Sequence, residues 1–419
     1  MSSLFRQTRN AAVVASVAGL LLTACTAPMV KTSAQGVSEL PKQPWEGGPQ
    51  YWEQFPDAAA YGWSDPGYFP IALWWGVFED DAEVKWDKDH GINTYIVTNP
   101  ESPTAYPLME KHGMSWIGGP LPGMNRDSPA WVGDFLDDEV DGRFPPSEGQ
   151  AELESIAGGL PDHQKFRYAN YTNQVISWMD QPNAEKYVNA YTDAVSIDMY
   201  WYTASFCDHD PFQGSVFLAP IEQKTCRTAS SYGQTVVGLQ ERDATDQHLQ
   251  ALWNFVELVP IDGGYSLNPL QVKGAVMASL IAGARGIVWF NNSFGGECET
   301  GNAIRTAQYA PDWACSPNVE AMKQINSFTQ QLAPVLNTQS YEWNFGPGLR
   351  TMLKLVEDDA YVFAMTDGTT GTRSLQLPEG VTAATAEVVG EGRTITIDGG
   401  KITDDFAEES TFHVYRIGP

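Results

Sequence analysis

The sequence predicts an α/β protein in which a (β/α)8 barrel is followed by a small antiparallel β-sandwich. Between residues 66 and 336, eight short apolar runs recur, and helical patterns separate most of them. A barrel of this kind typically has about 250 residues. In residues 337–419 the pattern changes to short alternating strands joined by glycine-containing turns, which indicates an antiparallel sheet. These observations predict two domains with a boundary near residue 336.

The apolar runs predict the eight barrel strands. Near-continuous apolar strands that alternate with helices indicate a parallel sheet covered on its outer face. Helical patterns are clearest at residues 147–160, 268–284 and 318–336. The segment between Gly119 and Trp131 is short and rich in proline and glycine, so we expect the third helix to be missing or reduced to one turn. The predicted strands lie at residues 69–76, 92–99, 115–119, 131–139, 166–172, 194–203, 252–259 and 285–293.

The first 65 residues predict export rather than a folded domain. Residues 1–24 join two arginines to an apolar segment that is too short to span a membrane as a mature helix. The segment ends in Leu-Thr-Ala-Cys, which resembles a bacterial lipobox and implies cleavage before Cys25 with a lipid on its thiol. A plain secretory signal is the alternative. We expect residues 25–65 to form a flexible tether, so that the protein is lipid-anchored on the outer face of a bacterial membrane.

Four cysteines remain beyond Cys25, and an even number in an exported chain favours two disulfides. The local pairs Cys207–Cys226 and Cys298–Cys315 are predicted, because each pair would close a loop that follows a strand. No CxxC or histidine-rich spacing indicates a metal site.

The composition excludes several classes of protein. A formal net charge of −27 argues against nucleic acid and anionic membrane surfaces as partners, because both need clustered Lys and Arg. No glycine-rich loop with phosphate-binding spacing follows a strand, and no G-x-S-x-G elbow is present. We therefore expect neither a cofactor nor a serine hydrolase. Excess acid with 14 Trp, 17 Tyr and 18 Phe suits an exported protein with a neutral ligand such as a sugar.

The candidate site lies at the C-terminal ends of the barrel strands, where function collects in this fold. Glu139 ends a run of three consecutive acids after the fourth strand, and Glu257 is the single acid in an apolar seventh strand. Crowded carboxylates raise one another's pKa, which can hold a glutamate protonated near neutral pH. Aromatic rings, amides and two carboxyl groups are what sugar hydrolysis requires. The strand-end residues predicted to bind the substrate are Trp75, Asp138, Asn170, Asp198, Tyr200, Trp289 and Asn291.

In these features, residues 66–419 resemble the clan A glycoside hydrolases. The resemblance implies that Glu139 is the general acid/base, that Glu257 is the nucleophile, and that the anomeric configuration is retained. It also places Tyr200 near the nucleophile and Trp289 under the sugar ring. The C-terminal strands are similar to the terminal β-sandwich of many bacterial barrels of this sort.

The chain departs from the clan at one position, and several alternatives stay open. Asparagine usually precedes the acid/base glutamate, whereas here the residue is Asp138. Asp137 or Asp138 could be the working acid, and Glu257 could be a strand-end acid paired with Lys or Arg. Residues 137–148 nearly match a calcium-binding loop, although two prolines fall inside it.

A different class of function is also open, because this fold hosts many activities. The alternative is a lipoprotein whose barrel binds glycans without cleaving them.

Overall fold

The computed structural model describes residues 36–96, 105–119, 127–161 and 164–418. Eight parallel strands close into a barrel in sequential order, so the predicted fold class and all eight predicted strands are confirmed. Cys25, the signal peptide and residues 97–99 of the second predicted strand lie outside the described residues. The barrel strands are β1 Ile71–Trp74, β2 Thr94–Ile96, β3 Ser115–Gly118, β4 Trp131–Asp138, β5 Phe166–Tyr171, β6 Ala194–Ile197, β7 Ala251–Glu257 and β8 Gly286–Phe290.

Helices cover the outside of the barrel. The three clearest helical patterns in the sequence are confirmed as the helices Pro146–Gly159, Pro269–Ile281 and Ser316–Leu336. The described residues between the third and fourth strands contain no helix. No helix in the described part of the chain is both long and apolar enough to cross a membrane. The helices are α1 Pro49–Trp52, α2 Pro56–Ala60, α3 Asp81–Asp89, α4 Ala105–Lys111, α5 Val140–Arg143, α6 Pro146–Gly159, α7 Gln181–Ala190, α8 Gln223–Cys226, α9 Ala229–Asp243, α10 Pro269–Ile281, α11 Ala303–Tyr309 and α12 Ser316–Leu336.

Residues 36–65 differ from the flexible tether that the sequence predicts. They contain α1 and α2, and their buried aromatic side chains join the interior cluster of the barrel. Trp52 packs edge-on against Trp63 at 4.8 Å, and Trp63 stacks on Trp253 of β7 at 5.9 Å. The tether prediction is wrong for these residues, because a few large rings bury enough apolar surface to hold a segment that has no periodic pattern.

Alternation along the strands divides the barrel core into two layers. All seven positions of β7 are buried. Trp253 and Phe255 belong to the interior cluster, whereas Leu252 and Val256 belong to the cluster that includes the surrounding helices. Successive side chains of a strand point to opposite faces. The same alternation decides which strand-end side chains reach the mouth of the barrel.

The C-terminal domain is an eight-stranded antiparallel sheet, and three residues separate its first strand from the end of α12. Side chains from both ends of this sheet share one apolar core, as expected for a sheet folded over on itself. The domain packs on the barrel through α10 and α12. Its strands, β9 to β16 in chain order, are Ser340–Tyr341, Leu349–Val356, Asp359–Thr366, Gly371–Gln376, Thr385–Val388, Arg393–Asp398, Lys401–Phe406 and Phe412–Ile417.

Both predicted disulfides form. Cys207 and Cys226 join the loop after β6 to α8, with their Cα atoms 5.6 Å apart. Cys298 and Cys315 close the loop after β8, with Cα atoms 5.9 Å apart. Each disulfide therefore constrains a loop on the side of the barrel where the strands end.

Candidate active site

Two predicted site residues adopt left-handed backbone conformations immediately after their strands. Glu139 follows β4 with φ 50°, and Trp75 follows β1 with φ 49°. Such angles are uncommon for residues other than glycine, and they concentrate at functional sites, where surrounding contacts hold them. For Glu139 those contacts include its N–H, which donates to the Asn170 carbonyl at 2.9 Å, and its own carbonyl, which accepts from Arg143 at the end of α5.

Three carboxyl groups lie together at the ends of β4 and β6. The Asn170 amide donates to Asp138 Oδ1 at 2.9 Å and to Asp198 Oδ1 at 3.2 Å. Burial raises the pKa of Asp138 to about 6. The pKa of Asp198 lies well above its usual range, first because the group is buried and second because of the charges of Glu139 and Asp138. Burial and like charges both disfavour the ionised form of Asp198, so its protonated form is stabilised.

Asn170 positions these carboxyl groups rather than meeting solvent. Its side chain is buried, and its Oδ1 accepts a hydrogen bond from Ser196 at 2.7 Å. The Ser196 hydroxyl in turn lies 2.6 Å from that of Tyr168, inside the barrel. The amide is therefore oriented by β5 and β6, and its donors are engaged by Asp138 and Asp198.

Glu257 lies at the end of β7, the strand next to β6, and is 0% exposed. The Tyr232 hydroxyl donates to Glu257 Oε2 at 2.5 Å, and the Thr203 hydroxyl lies 3.5 Å from Oε1. Burial raises the pKa of Glu257 to about 7, although these hydrogen bonds lower it. Among the described residues no Lys or Arg forms an ion pair with Glu257, so the structure does not support the ion-pair alternative.

Tyr200 connects the two acidic parts of the site. Its ring lies 4.9 Å from that of Phe290 at the end of β8. Burial raises the pKa of the Tyr200 hydroxyl well above its usual range, and nearby carboxylates raise it further. Those carboxylates are Asp198, Glu257, Glu139 and Asp138. Acids from β4, β6 and β7 thus lie close enough to one tyrosine at the mouth of the barrel to raise its pKa.

The two consecutive tryptophans at the end of β1 point to different environments, as alternation along a strand requires. Trp74 is buried against Phe255 at 5.2 Å, whereas Trp75 is 47% exposed. Asn291 is buried, and its amide donates to the Trp74 carbonyl at 3.2 Å, which joins the ends of β8 and β1. Trp75 therefore presents an aromatic surface, and Asn291 supports the backbone behind it.

The prediction that Trp289 lies under the sugar ring is wrong. Trp289 is fully buried, and its indole N–H donates to Asn326 Oδ1 of α12 at 3.0 Å. The side chain points away from the barrel axis, because Val288 and Phe290 occupy the inward positions of β8. Phe290 is the residue of this strand that lies beside Tyr200.

Two residues of the site, Tyr232 and Glu409, were not predicted from the sequence. Tyr232 lies on α9, where no strand-end signal marks it. Glu409 comes from the C-terminal domain and accepts hydrogen bonds from the Tyr202 hydroxyl at 2.9 Å and from the Ala229 N–H at 2.8 Å. The Tyr202 N–H donates to the Tyr232 hydroxyl at 3.2 Å. The C-terminal domain therefore supports the wall that holds the nucleophile candidate.

The carboxylates of the calcium-like loop bind protein donors. Asp137 pairs with Arg143, and Asp141 accepts from the N–H and hydroxyl of Thr172 at 2.9 and 2.7 Å. Across the described ranges, no group of three or more His, Cys, Asp or Glu side chains is arranged to hold a metal ion.

Comparison with known proteins shows a shared fold. No protein-family model and no curated sequence matches the chain. Among solved structures, Amy13B of Eubacterium rectale matches with a TM-score of 0.51 and 8% identity, over 84% of this chain and 96% of that chain. AbfB of Bifidobacterium longum, a family 51 α-L-arabinofuranosidase, matches with a TM-score of 0.50 and 10% identity, over 84% and 96%. The barrel with its C-terminal sheet domain is thus an architecture found in these proteins.

Proposed function

We propose that the protein is a glycoside hydrolase that cleaves a polysaccharide or oligosaccharide with Glu139 and Glu257. The convergence of acids from β4, β6 and β7 on Tyr200 carries this proposal. The shared fold with an α-L-arabinofuranosidase is consistent with it. The lipobox sequence supports the further proposal that Cys25 is lipidated and that the enzyme acts at the outer face of a bacterial membrane, on cell-envelope or environmental glycans.

The proposed reaction divides the work between Glu139, which follows β4, and Glu257, which ends β7. Glu139 gives a proton to the leaving oxygen, while the Glu257 carboxylate attacks the anomeric carbon. Water then cleaves the glycosyl-enzyme bond, with Glu139 as the base. At a pKa of about 7, Glu257 is about half ionised at neutral pH. Its full burial means that side chains covering it must move when substrate binds.

This scheme predicts retention of the anomeric configuration. Retaining enzymes hold their two carboxyl groups about 5–5.5 Å apart when substrate is bound, whereas a wider gap admits a water molecule and gives inversion. NMR of the first product formed would show the same anomer as the substrate. The opposite anomer would exclude Glu257 as nucleophile.

Hydrolysis across a panel of polysaccharides and aryl glycosides tests the proposal. Wild type should cleave at least one substrate, and both Glu139→Gln and Glu257→Gln should lower kcat by at least about a thousandfold. Glu148→Gln, which changes an exposed acid on α6, is the matched control. A folded wild type without turnover on any substrate would contradict the proposal.

The complete burial of Glu257 favours a second candidate, a barrel that binds glycans without cleaving them. In that case wild type and Glu257→Gln bind polysaccharide equally well, and neither of them cleaves it.

A further inference from the structure

The exposed apolar side chains are concentrated on the face of the barrel that carries the carboxyl groups. Seven large apolar side chains are exposed among the described residues. Five of them lie on segments that follow the ends of β1, β4, β5 and β8, which all open onto this face. They are Trp75, Val77, Phe144, Trp178 and Phe294.

These side chains form two groups on opposite sides of the mouth. The strands close in the order β1 to β8, so β8 and β1 are neighbours, and β4 and β5 lie across the barrel from them. Trp75 and Phe294 stand on the first side, and Trp178 stands on the second. Tyr200 follows β6 and Glu257 ends β7, and these two strands lie between the second side and the first in the barrel order.

Trp178 is held in a fixed position by aromatic side chains behind it. Its ring lies 6.2 Å from Phe206 and 6.0 Å from Phe217, both of which are buried. Phe217 lies within the loop closed by the Cys207–Cys226 disulfide, and Phe206 immediately precedes that loop. The indole nevertheless stays 48% exposed, so this segment holds an apolar ring open to solvent.

The opposite side is also supported. The exposed ring of Trp75 lies 6.5 Å from the buried Trp74. Phe294 is 70% exposed, and its ring lies 6.3 Å from Phe290, which contacts Tyr200. Aromatic surface therefore extends from the rim to the centre of the mouth.

The pattern of charge identifies the class of ligand. Acids line the centre of the mouth, and the chain carries a formal charge of −27, so an anionic polymer would be repelled. A protein partner would have to bury these carboxyl groups, whereas the cores of protein interfaces are depleted of charge. A neutral sugar chain has C–H faces that stack on aromatic rings and hydroxyl groups that bond to carboxylates.

We propose that an uncharged polysaccharide lies across the mouth, stacked on Trp178 at one side and on Trp75 and Phe294 at the other. The chain is then held on both sides of the carboxyl groups, and cleavage is internal. The cleavage part rests on the proposed hydrolase function, whereas the binding part does not.

Equilibrium binding tests the site without turnover. The full chain with Glu257→Gln is titrated with soluble glucan, xylan, arabinan and galactan, and with polygalacturonate and hyaluronate as acidic polymers. Trp178→Ala and Trp75→Ala should each weaken binding of a neutral polymer by about tenfold and leave binding of its monosaccharide unchanged. Trp178→Phe, which keeps a ring, should restore most of the affinity. Trp343→Ala, in the C-terminal domain, is the matched control and should bind like the parent.

The outcomes separate this inference from the proposed function. Unchanged affinity in both alanine variants, no binding of any neutral polymer, or equal binding of the acidic polymers would overturn the inference. Ring-dependent binding without hydrolysis by wild type would support the binding site and refute the hydrolase. If wild type hydrolyses a neutral polymer, a rapid fall in viscosity supports internal cleavage, and release of single sugars from chain ends overturns it.

Discussion

Replacing Glu257 with glutamine should stabilise the protein at alkaline pH. Burial raises the pKa of Glu257 to about 7 from its ordinary 4.5. Between these values the native state holds a proton that the unfolded chain has released, so stability falls as pH rises through this window. The difference, 7 − 4.5 = 2.5 pKa units, corresponds to about 3 kcal/mol. This loss of stability is therefore absent in wild type below pH 4.5 and complete above about pH 7.

Urea denaturation at pH 4.5 and pH 8.5 measures the effect. Glutamine can still accept the Tyr232 hydrogen bond, and it carries no charge at either pH. The free energy of unfolding of Glu257→Gln, relative to wild type, should rise by about 3 kcal/mol between the two conditions. Glu148→Gln, at an exposed position, should show no such change.

A constant difference between wild type and Glu257→Gln at the two pH values would refute the reasoning. It would mean that the carboxyl group ionises in the native protein as it does in water. The proposed nucleophile would then be solvated, in contradiction to the wall formed by Tyr232 and Thr203. The measurement needs no substrate, so it tests the site independently of the reaction.

Three further changes test other parts of the structure. Asp198→Asn removes the buried carboxyl group that accepts from the Asn170 amide, so kcat/KM should fall by about tenfold. Trp63→Ala deletes a buried ring below the barrel and should lower the free energy of unfolding by about 3–5 kcal/mol in urea denaturation. Cys207→Ser opens the Cys207–Cys226 loop and should cost about 3 kcal/mol in the same assay.

Each of these has an outcome that would contradict it. An unchanged kcat/KM in Asp198→Asn would show that this carboxyl group does not contribute to the site. Full stability in Trp63→Ala would mean that residues 36–65 are a tether after all. Cys207→Ser could prove as stable as oxidised wild type even though reduction destabilises wild type. The Cys207–Cys226 disulfide would then not be the constraint on its loop.

The prediction that Trp289 lies under the sugar ring was wrong by one position along the strand. The apolar run that predicts β8 is correct, but its end does not show which residues point inward. Neighbouring side chains of a strand face opposite sides. A side chain one position along therefore points to the surrounding helices instead of the mouth of the barrel. The strand's partners decide the register, and they place Phe290 rather than Trp289 beside Tyr200.

The prediction of a flexible tether at residues 36–65 was wrong for a different reason. Its composition matches a linker, because proline, glycine and polar residues outnumber any periodic apolar set. Four rings, those of Tyr51, Trp52, Phe55 and Trp63, are nevertheless buried in the interior cluster of the barrel. The local sequence pattern does not show that residues of β5 and β7, far along the chain, provide the apolar surface on which these rings pack.

The sequence by itself determined the barrel, the C-terminal sheet, the two disulfides and the placement of Glu139 and Glu257 at strand ends. Those features follow from short-range periodicity and from the spacing of a few residues. Only the tertiary structure decided that Tyr232 holds Glu257, that Asn170 joins Asp138 to Asp198, and that Glu409 supports the site from the second domain. These contacts join residues far apart in the chain, and their geometry exists only once the strands have closed and the core has packed.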